Sequence, residues 1–458
     1  MRGLRIDTFT FIIATVVQVY SSSVRREGRL SVTELRERNH CFAGNSSKMT
    51  NSYLWRIIRD PPVYFFGTIH VPYPRVWDYI PQNIKQAFCE SQNAFFELDL
   101  TDSNTSRNLK RCQMLPRGEN LSTVLPENMY QRLKSHLGYV QKMMPSWGVY
   151  DEELFHTIAG NWERKRPIWV MLMVNTLNEA DIRSRGIPVL DLHLTNEALK
   201  MDKRVGAVEV VQEQCVPLNG LNVSQVLFLL NRTLWQQEAL RDGTIESSFS
   251  TDDLIWHYNC GDLNSMILNL DTAQIPNILN STMSETDLRL AEEIDRYFVD
   301  ELINKRNQQM ASRVKEIVES KSNQSFFFAL GAGHFLGNNS VLDLLRAEGF
   351  EIENIPADAE LNSSKDRPCS WGASSGEADR RRTDRNRSEN TPVEMQSQRS
   401  KFEDLWNFLD SISDGNQLLE TTTATSDPYN GSIRAQQQAS LSVVFMMLAT
   451  TIIMTSME

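Results

Sequence analysis

The sequence predicts an α/β fold: a mixed sheet flanked by helices, built from two related halves, with a helical middle segment. Three observations predict it. Apolar runs of five to seven residues alternate with amphipathic stretches of helical spacing. A unit of strand, Gly-x-x-His, helix and strand occurs near both ends of the folded part, at Gly67–His70 and Gly331–His334. The distance between the copies far exceeds a solenoid period, so they read as a twofold duplication and not as an array.

Taken in order, "VYFFG" is a strand, "YIPQNIKQAFCES" a helix and "NAFFELDL" a second strand. The stretch Glu119 to Leu290 reads as mostly helical, with "ENMYQRLKSHLGYV" and "LTNEALKMDK" at helix spacing. Within it, "IPVLDLHL" and "RVGAVEVV" read as two more strands. "EIDRYFVDELINKRNQQMASRVKEIVES" predicts one long amphipathic helix. "SFFFALG" is a strand, "NNSVLDLLRAEG" a helix and "FEIENI" a final strand.

The ends read as processing signals around a folded domain spanning 31–357. Residues 1–23 predict a secretory signal peptide, with Arg2 and Arg5 before an apolar run, Thr8–Val19, that is too short to span a bilayer. Residues 358–432 are rich in Ser, Arg, Asp and Asn and predict a disordered stalk. Inside it, "KFEDLWNFLDSI" fits one short helix. The run Arg380–Arg382 reads as solvated linker, the alternative being a polyanion contact. Residues 433–458 predict a hydrophobic anchor signal. Its apolar part, Leu441–Met454, falls short of the roughly 20 residues of a spanning helix. Small residues Asn430, Gly431 and Ser432 and a polar spacer precede it, the layout of a GPI signal. A short single-pass segment is the alternative. Either places the domain outside the cell.

Composition agrees. Eleven N-x-[ST] sequons stand at Asn45, Asn104, Asn120, Asn222, Asn231, Asn280, Asn323, Asn338, Asn362, Asn386 and Asn430, a density that fits a glycosylated ectodomain. The six cysteines, Cys41, Cys89, Cys112, Cys215, Cys260 and Cys369, contain no C-x-x-C and suit disulfides of unassigned pairing. A net charge of -11 argues against a nucleic-acid partner.

Ligands in an open α/β sheet collect beyond the carboxyl ends of the strands, where Gly-x-x-His puts a histidine. Gly67 is expected to let the backbone leave the strand at angles other residues avoid, and Pro72 and Pro74 to stiffen the exit. One such motif alone fits a loop or core histidine better than a ligand, but two copies at strand ends point to a site shared by His70 and His334. In "AFFELDL" the period of two puts Glu97 and Asp99 on one face. A buried carboxylate needs a partner, and a cation beside His70 is a natural one. An exposed strand end, or an arginine partner, is the alternative. Arg306 and Asn307 fall near the apolar stripe Ile303, Met310, Val314 and Ile317, where Arg306 would meet a carboxylate or a developing anion. Asp191, His193 and Glu209 stand at or near predicted strand ends and are weaker candidates. Two histidines and a carboxylate suit a first-row divalent metal with an open position. The H-E-x-x-H helix and G-x-S-x-G are both absent.

In combination, the paired Gly-x-x-His motifs, "FELDL", "RNQQMA" and "VLDLHLTNEA … VGAVEVVQEQ" resemble the TraB/PrgY family. With the signal peptide, sequons and anchor, the chain is similar to its animal branch, the TIKI metalloproteases. The resemblance covers about Ser52 to Pro356. It implies a membrane-anchored protease, dependent on Mn2+ or Co2+, that removes a short N-terminal piece from Wnt proteins and so antagonises Wnt signalling. It implies His70, Glu97 and His334 as metal and catalytic residues, with Arg306 and Glu209 supporting them. The short, uncharged C-terminus departs from the transmembrane end usual in that family. A reading from another class is a non-enzymatic anchored ectodomain that sequesters a secreted ligand.

Overall fold

The computed structural model describes residues 52–245, 251–261, 263 and 284–361. The signal peptide, the anchor segment and nearly all of the stalk lie outside the described residues. So do Cys41, Cys369, Asn45, Asn280, Asn362, Asn386 and Asn430.

Six strands form one mixed sheet: β1 (Leu54–Ile57), β2 (Val63–Thr68), β3 (Asn93–Phe96), β4 (Arg204–Ala207), β5 (Phe326–Gly331) and β6 (Ile352–Asn354), in the order β4-β3-β5-β2-β1-β6. The first four in that order run parallel, and β1 is antiparallel to both β2 and β6. Strands β2 and β5 are buried at every residue, as expected of central strands with helices on both faces. Their aromatic side chains fill the two layers, with the rings of Phe65 and Phe328 centred 5.4 Å apart.

The register fixes where the strands stop. Thr68 pairs with Gly331, Phe96 with Ala329, and Ala207 with Phe96. Four parallel strands therefore end nearly flush, and the two Gly-x-x-His segments leave adjacent strands side by side.

Strand β1 was not anticipated, because four residues interrupted by Arg56 carry too little periodicity. The "IPVLDLHL" strand is overturned: Leu190–Lys200 is a helix. Alternation of Leu with Asp and His mimics a strand, but Leu190 and Leu194, and Asp191 and Thr195, are buried four apart, which is helix spacing. The single long helix is also corrected. It runs as helix Glu285–Phe298, a π-helical stretch Val299–Asn304, and helix Lys305–Ser320. "FELDL" leaves the sheet early, since β3 stops at Phe96 and Glu97 sits just beyond it.

The middle segment packs a helical core about helix Pro167–Asn175, where residues 168–174 are all buried. A disulfide joins Cys112 on helix Ser103–Gln113 to Cys215 on helix Val211–Asn219. Cys89 and Cys260 are also disulfide-bonded. Among the described sequons, Asn104, Asn222, Asn231, Asn323 and Asn338 are exposed and Asn120 is half-buried. No helix among the described residues is long and apolar enough to cross a membrane.

Candidate metal centre

The flush strand ends assemble the site. His70 follows β2 by two residues, Glu97 follows β3 by one, Glu209 follows β4 by two, and His334 closes the turn after β5. The ladder continues past β3 and β4, with Glu209 N–H donating to the Glu97 carbonyl at 2.9 Å. All four side chains are buried.

Both histidines are aimed by their Nδ1 atoms. His70 Nδ1 lies 2.7 Å from Asp191 Oδ2, and Thr68 Oγ1 donates to Asp191 Oδ1 at 2.7 Å. His334 Nδ1 lies 2.7 Å from Asn307 Oδ1, whose amide nitrogen donates to the Asn339 carbonyl at 2.9 Å. A carboxylate or amide oxygen on Nδ1 requires the proton there, which leaves each Nε2 as the donor atom facing inward. Both Nε2 atoms face one oxygen: Glu97 Oε1 stands 3.9 Å from that of His70 and 3.7 Å from that of His334.

Arg306 supports this arrangement from below. It is 1 % exposed. Its Nε and Nη2 donate to the two oxygens of Glu209 at 2.7 Å each, and Nη2 also donates to Glu97 Oε2 at 3.0 Å. Gln214 Nε2 adds a bond to Glu209 at 2.9 Å. The π-helical turn ends two residues before Arg306, whose Nη1 donates to the Leu302 carbonyl at 3.3 Å. Such widened turns recur at functional sites, where they re-aim the residues that follow.

The electrostatics follow from burial and these contacts. Burial works to raise Glu97, but the neighbouring His334, Arg306 and His70 and the Gly331 N–H outweigh it and hold its carboxyl well below the usual carboxylate range. Burial pushes Glu209 upward against the pull of Arg306. The two short bonds to the guanidinium fit its ionised form. Burial opposes charging His70, but Asp191 and then Glu97 outweigh it and raise its pKa. Burial and the Arg306 charge depress His334 to about 3, so it is neutral.

With His334 neutral, three carboxylates (Glu97, Asp191 and Glu209) face one guanidinium, a buried negative excess that also raises the pKa of His70. A divalent cation between the Nε2 atoms and Glu97 would cancel it. Among the described residues no set of three or more His, Cys, Asp and Glu is drawn close enough to cage an ion outright. Even so, separations of 3.7 and 3.9 Å lie within the roughly 3–4 Å spread of donors bound at about 2.1 Å to a common ion. The donor set thus fits such an ion in identity and charge.

The two glycines act by closeness and not by unusual backbone angles, which corrects the expectation for Gly67. Neither has a positive φ. A Cβ on Gly67 would stand 3.0 Å from Ala332 Cβ. A Cβ on Gly331 would stand 2.9 Å from Glu97 Oε1 and 3.7 Å from His70 Nε2, filling the space between the donors.

Asp191 joins the site from the first turn of a helix and not from a strand end. His193 does not join it: its ring stacks on Tyr73 at 3.9 Å, with Trp77 edge-on at 5.0 Å. Asp99 also lies apart, with its side chain bonded to Thr101. Thr68 was missed. Its position two residues before His70 in the same strand end was the available signal.

Comparison with known proteins gives a consistent picture. The TraB/PrgY/gumN family model matches residues 53–354. The chain is 57% identical over 368 residues to "Metalloprotease TIKI1" of Homo sapiens, covering 79% of this chain and 72% of that protein. It is 57% identical over 337 residues to "Metalloprotease TIKI1" of Xenopus tropicalis, covering 72% of this chain and 66% of that protein, slightly less than two thirds of its length. It is 50% identical over 336 residues to "Metalloprotease TIKI homolog" of Nematostella vectensis, covering 71% of each. No solved structure matches.

Proposed function

The chain belongs to the TraB/PrgY/gumN family and, within it, with the TIKI metalloproteases, and from that premise we propose that it is a metal-dependent endopeptidase held at the cell surface. The observation that carries the reading is the convergence of two inward-facing imidazole nitrogens on one carboxylate oxygen. His70, Glu97 and His334 would hold the ion, for which Mn2+ or Co2+ is proposed. A bound divalent ion supplies a water activated at neutral pH and polarises a scissile carbonyl.

The chain's own residues do the rest. Asp191 and Asn307 keep the Nδ1 protons in place. Arg306 keeps Glu97 ionised and fixes its orientation, with Glu209 as the far side of the clamp. Burial excludes bulk water, which strengthens every charge interaction at the strand ends.

The proposed substrate is the N-terminal region of a Wnt protein, with negative regulation of Wnt signalling as the outcome. Support for this comes from the family and not from the strand-end geometry. Placement outside the cell is supported by the signal-like start, the sequon density and the disulfides. For the anchor, release by phosphatidylinositol-specific phospholipase C is expected, and retention at the surface would favour a single-pass segment.

The test is metal analysis and proteolysis with the purified full chain. Wild type should retain a stoichiometric divalent ion, lose activity to chelator and regain it with Mn2+ or Co2+. The double variant His70→Ala, His334→Ala should fold, carry no ion and leave the Wnt N-terminus intact by mass spectrometry. Full cleavage by the double variant would sink the proposal. Unchanged Wnt antagonism without cleavage would favour a sequestering ectodomain.

A further inference from the structure

The chain carries a net charge of -11, yet six basic residues gather outside the strand-end site. Arg107, Lys110 and Arg111 lie on helix Ser103–Gln113, where spacings of three and four put them on one face. Arg164, Lys165 and Arg166 immediately precede helix Pro167–Asn175. An antiparallel bridge pairs Met114 with Lys165. Leu115 N–H donates to the Arg164 carbonyl at 2.7 Å, and Arg166 N–H to the Gln113 carbonyl at 2.8 Å. The bridge thus presses the second triplet against the end of the helix that bears the first. The Cys112–Cys215 disulfide pins the same helix end.

Counter-charge on this face is sparse, Asp102 acting on Arg107 at the start of the helix. Among the described residues, no carboxylate lies within ion-pair distance of Arg107, Arg111, Arg164, Lys165 or Arg166. Asp102 caps the helix through Thr105, and Glu163 accepts the Tyr130 hydroxyl.

The face also holds buried donors without acceptors. Lys165 is 8 % exposed, and its ammonium has three donors, one of which meets Gln113 Oε1 at 2.8 Å. Gln113 is 2 % exposed, and its Nε2, on the same carboxamide, has no partner. Arg107 Nε is a second buried donor without one. Burial, then the Lys110 charge, hold Lys165 down at about 8, the mark of an ammonium with no anion beside it. A tetrahedral oxyanion offers several acceptors at once and would satisfy this set.

We propose that this face binds a sulfated polysaccharide, with one sulfate seated against Lys165 and Gln113 and the neighbouring basic side chains meeting further sulfates along the chain. The disulfide beside the patch points to an oxidising compartment, where the abundant polyanions are sulfated polysaccharides and not nucleic acids. The proposal is independent of the metal centre.

The test uses the full chain in non-ionic detergent, with heparin as the probe. Wild type should bind heparin at 0.15 M salt, and N- and O-desulfated heparin should not compete. The triple variant Arg111→Ser, Arg164→Ser, Arg166→Ser should weaken binding on the order of tenfold or more, and should reduce the slope of log affinity against log salt by about one for each contact removed. Gln113→Glu places an internal carboxylate on Lys165 and should lower heparin affinity while leaving the thermal midpoint intact. A control set elsewhere, Lys200→Ser, Arg289→Ser, Lys315→Ser, removes equal charge and should change affinity less than twofold. Equal loss in the control set, undiminished binding in the triple variant, or equal competition by desulfated heparin or inorganic phosphate would overturn the proposal.

Discussion

Replacing Asp191 by Asn tests how the site is aimed without removing a donor. In the native site, Asp191 accepts two bonds of 2.7 Å, one from Thr68 and one with His70 Nδ1. Asparagine keeps the shape and the Thr68 bond on Oδ1. Its amide nitrogen then stands where Oδ2 stood, so two donors face each other. His70 relieves the clash by moving its proton to Nε2, which removes the lone pair from the atom that faces Glu97. Outer-shell losses of this kind cost about 10- to 100-fold in metal affinity, or roughly 1.4–2.7 kcal/mol. The assay is calorimetric titration of Mn2+ into chelator-stripped wild type and Asp191→Asn.

A second readout comes from proton linkage in the stripped protein. Asp191 is the main group that raises the folded pKa of His70, against burial. Stability from a raised histidine is fully present below its unfolded value near 6.5 and is lost as pH rises through the higher folded value. Wild type should therefore exceed the variant by more at pH 5.5 than at pH 8. Equal Mn2+ affinity in the folded variant, with an unchanged pH profile, would refute the reasoning.

Other perturbations separate the remaining parts. Gly331→Ala should cut metal affinity with little change in the denaturation midpoint, because its Cβ enters the space between the donors. Gly67→Ala should instead lower stability by about 1–3 kcal/mol, since its Cβ meets the Ala332 backbone at 3.1 Å. Arg306→Leu leaves Glu97 and Glu209 buried without their cation and should cost about 3–5 kcal/mol by chemical denaturation. Native-like stability there would show that the carboxylates are neutral. His136 is buried, both ring nitrogens lack partners, and burial, then Arg241, depress it to about 4. Because the unfolded chain takes the proton first, stability should fall by roughly 3 kcal/mol as pH drops from about 6.5 to 4, and His136→Gln should flatten that slope.

The parts of this site that can be read in the sequence are those with a period or a punctuating residue. Strands β2 and β5 announce themselves as unbroken apolar runs, and each Gly marks a strand end. Glu97 stands out because a carboxylate follows an apolar run. What a linear reading lacks is the pairing partner. Glu97 meeting both an arginine and two histidines combines readings that looked like alternatives, and only the strand register brings them together. Asp191 stands out in the sequence through a strand-like alternation that the fold does not share, since Leu-Asp-Leu-His-Leu carries a period of two inside a helix. His193 shares that pattern and turns to Tyr73 instead. Asn307 lies near the apolar stripe, yet nothing local says that it faces a histidine 27 residues away. The π-helical turn has no sequence mark in Val299–Asn304 and shows itself only in the backbone.

The flush ending of four parallel strands has a consequence for biosynthesis. The donors arrive on the ribosome in the order His70, Glu97 and His334, and the last follows the first by 264 positions (334 less 70). Strand β5 lies between β2 and β3 in the sheet, so the earlier two donors have no common neighbour until it inserts. A nascent or truncated chain would therefore carry the pieces of the proposed ion site without assembling it. Loading of the proposed ion would have to wait until the central strand is in place.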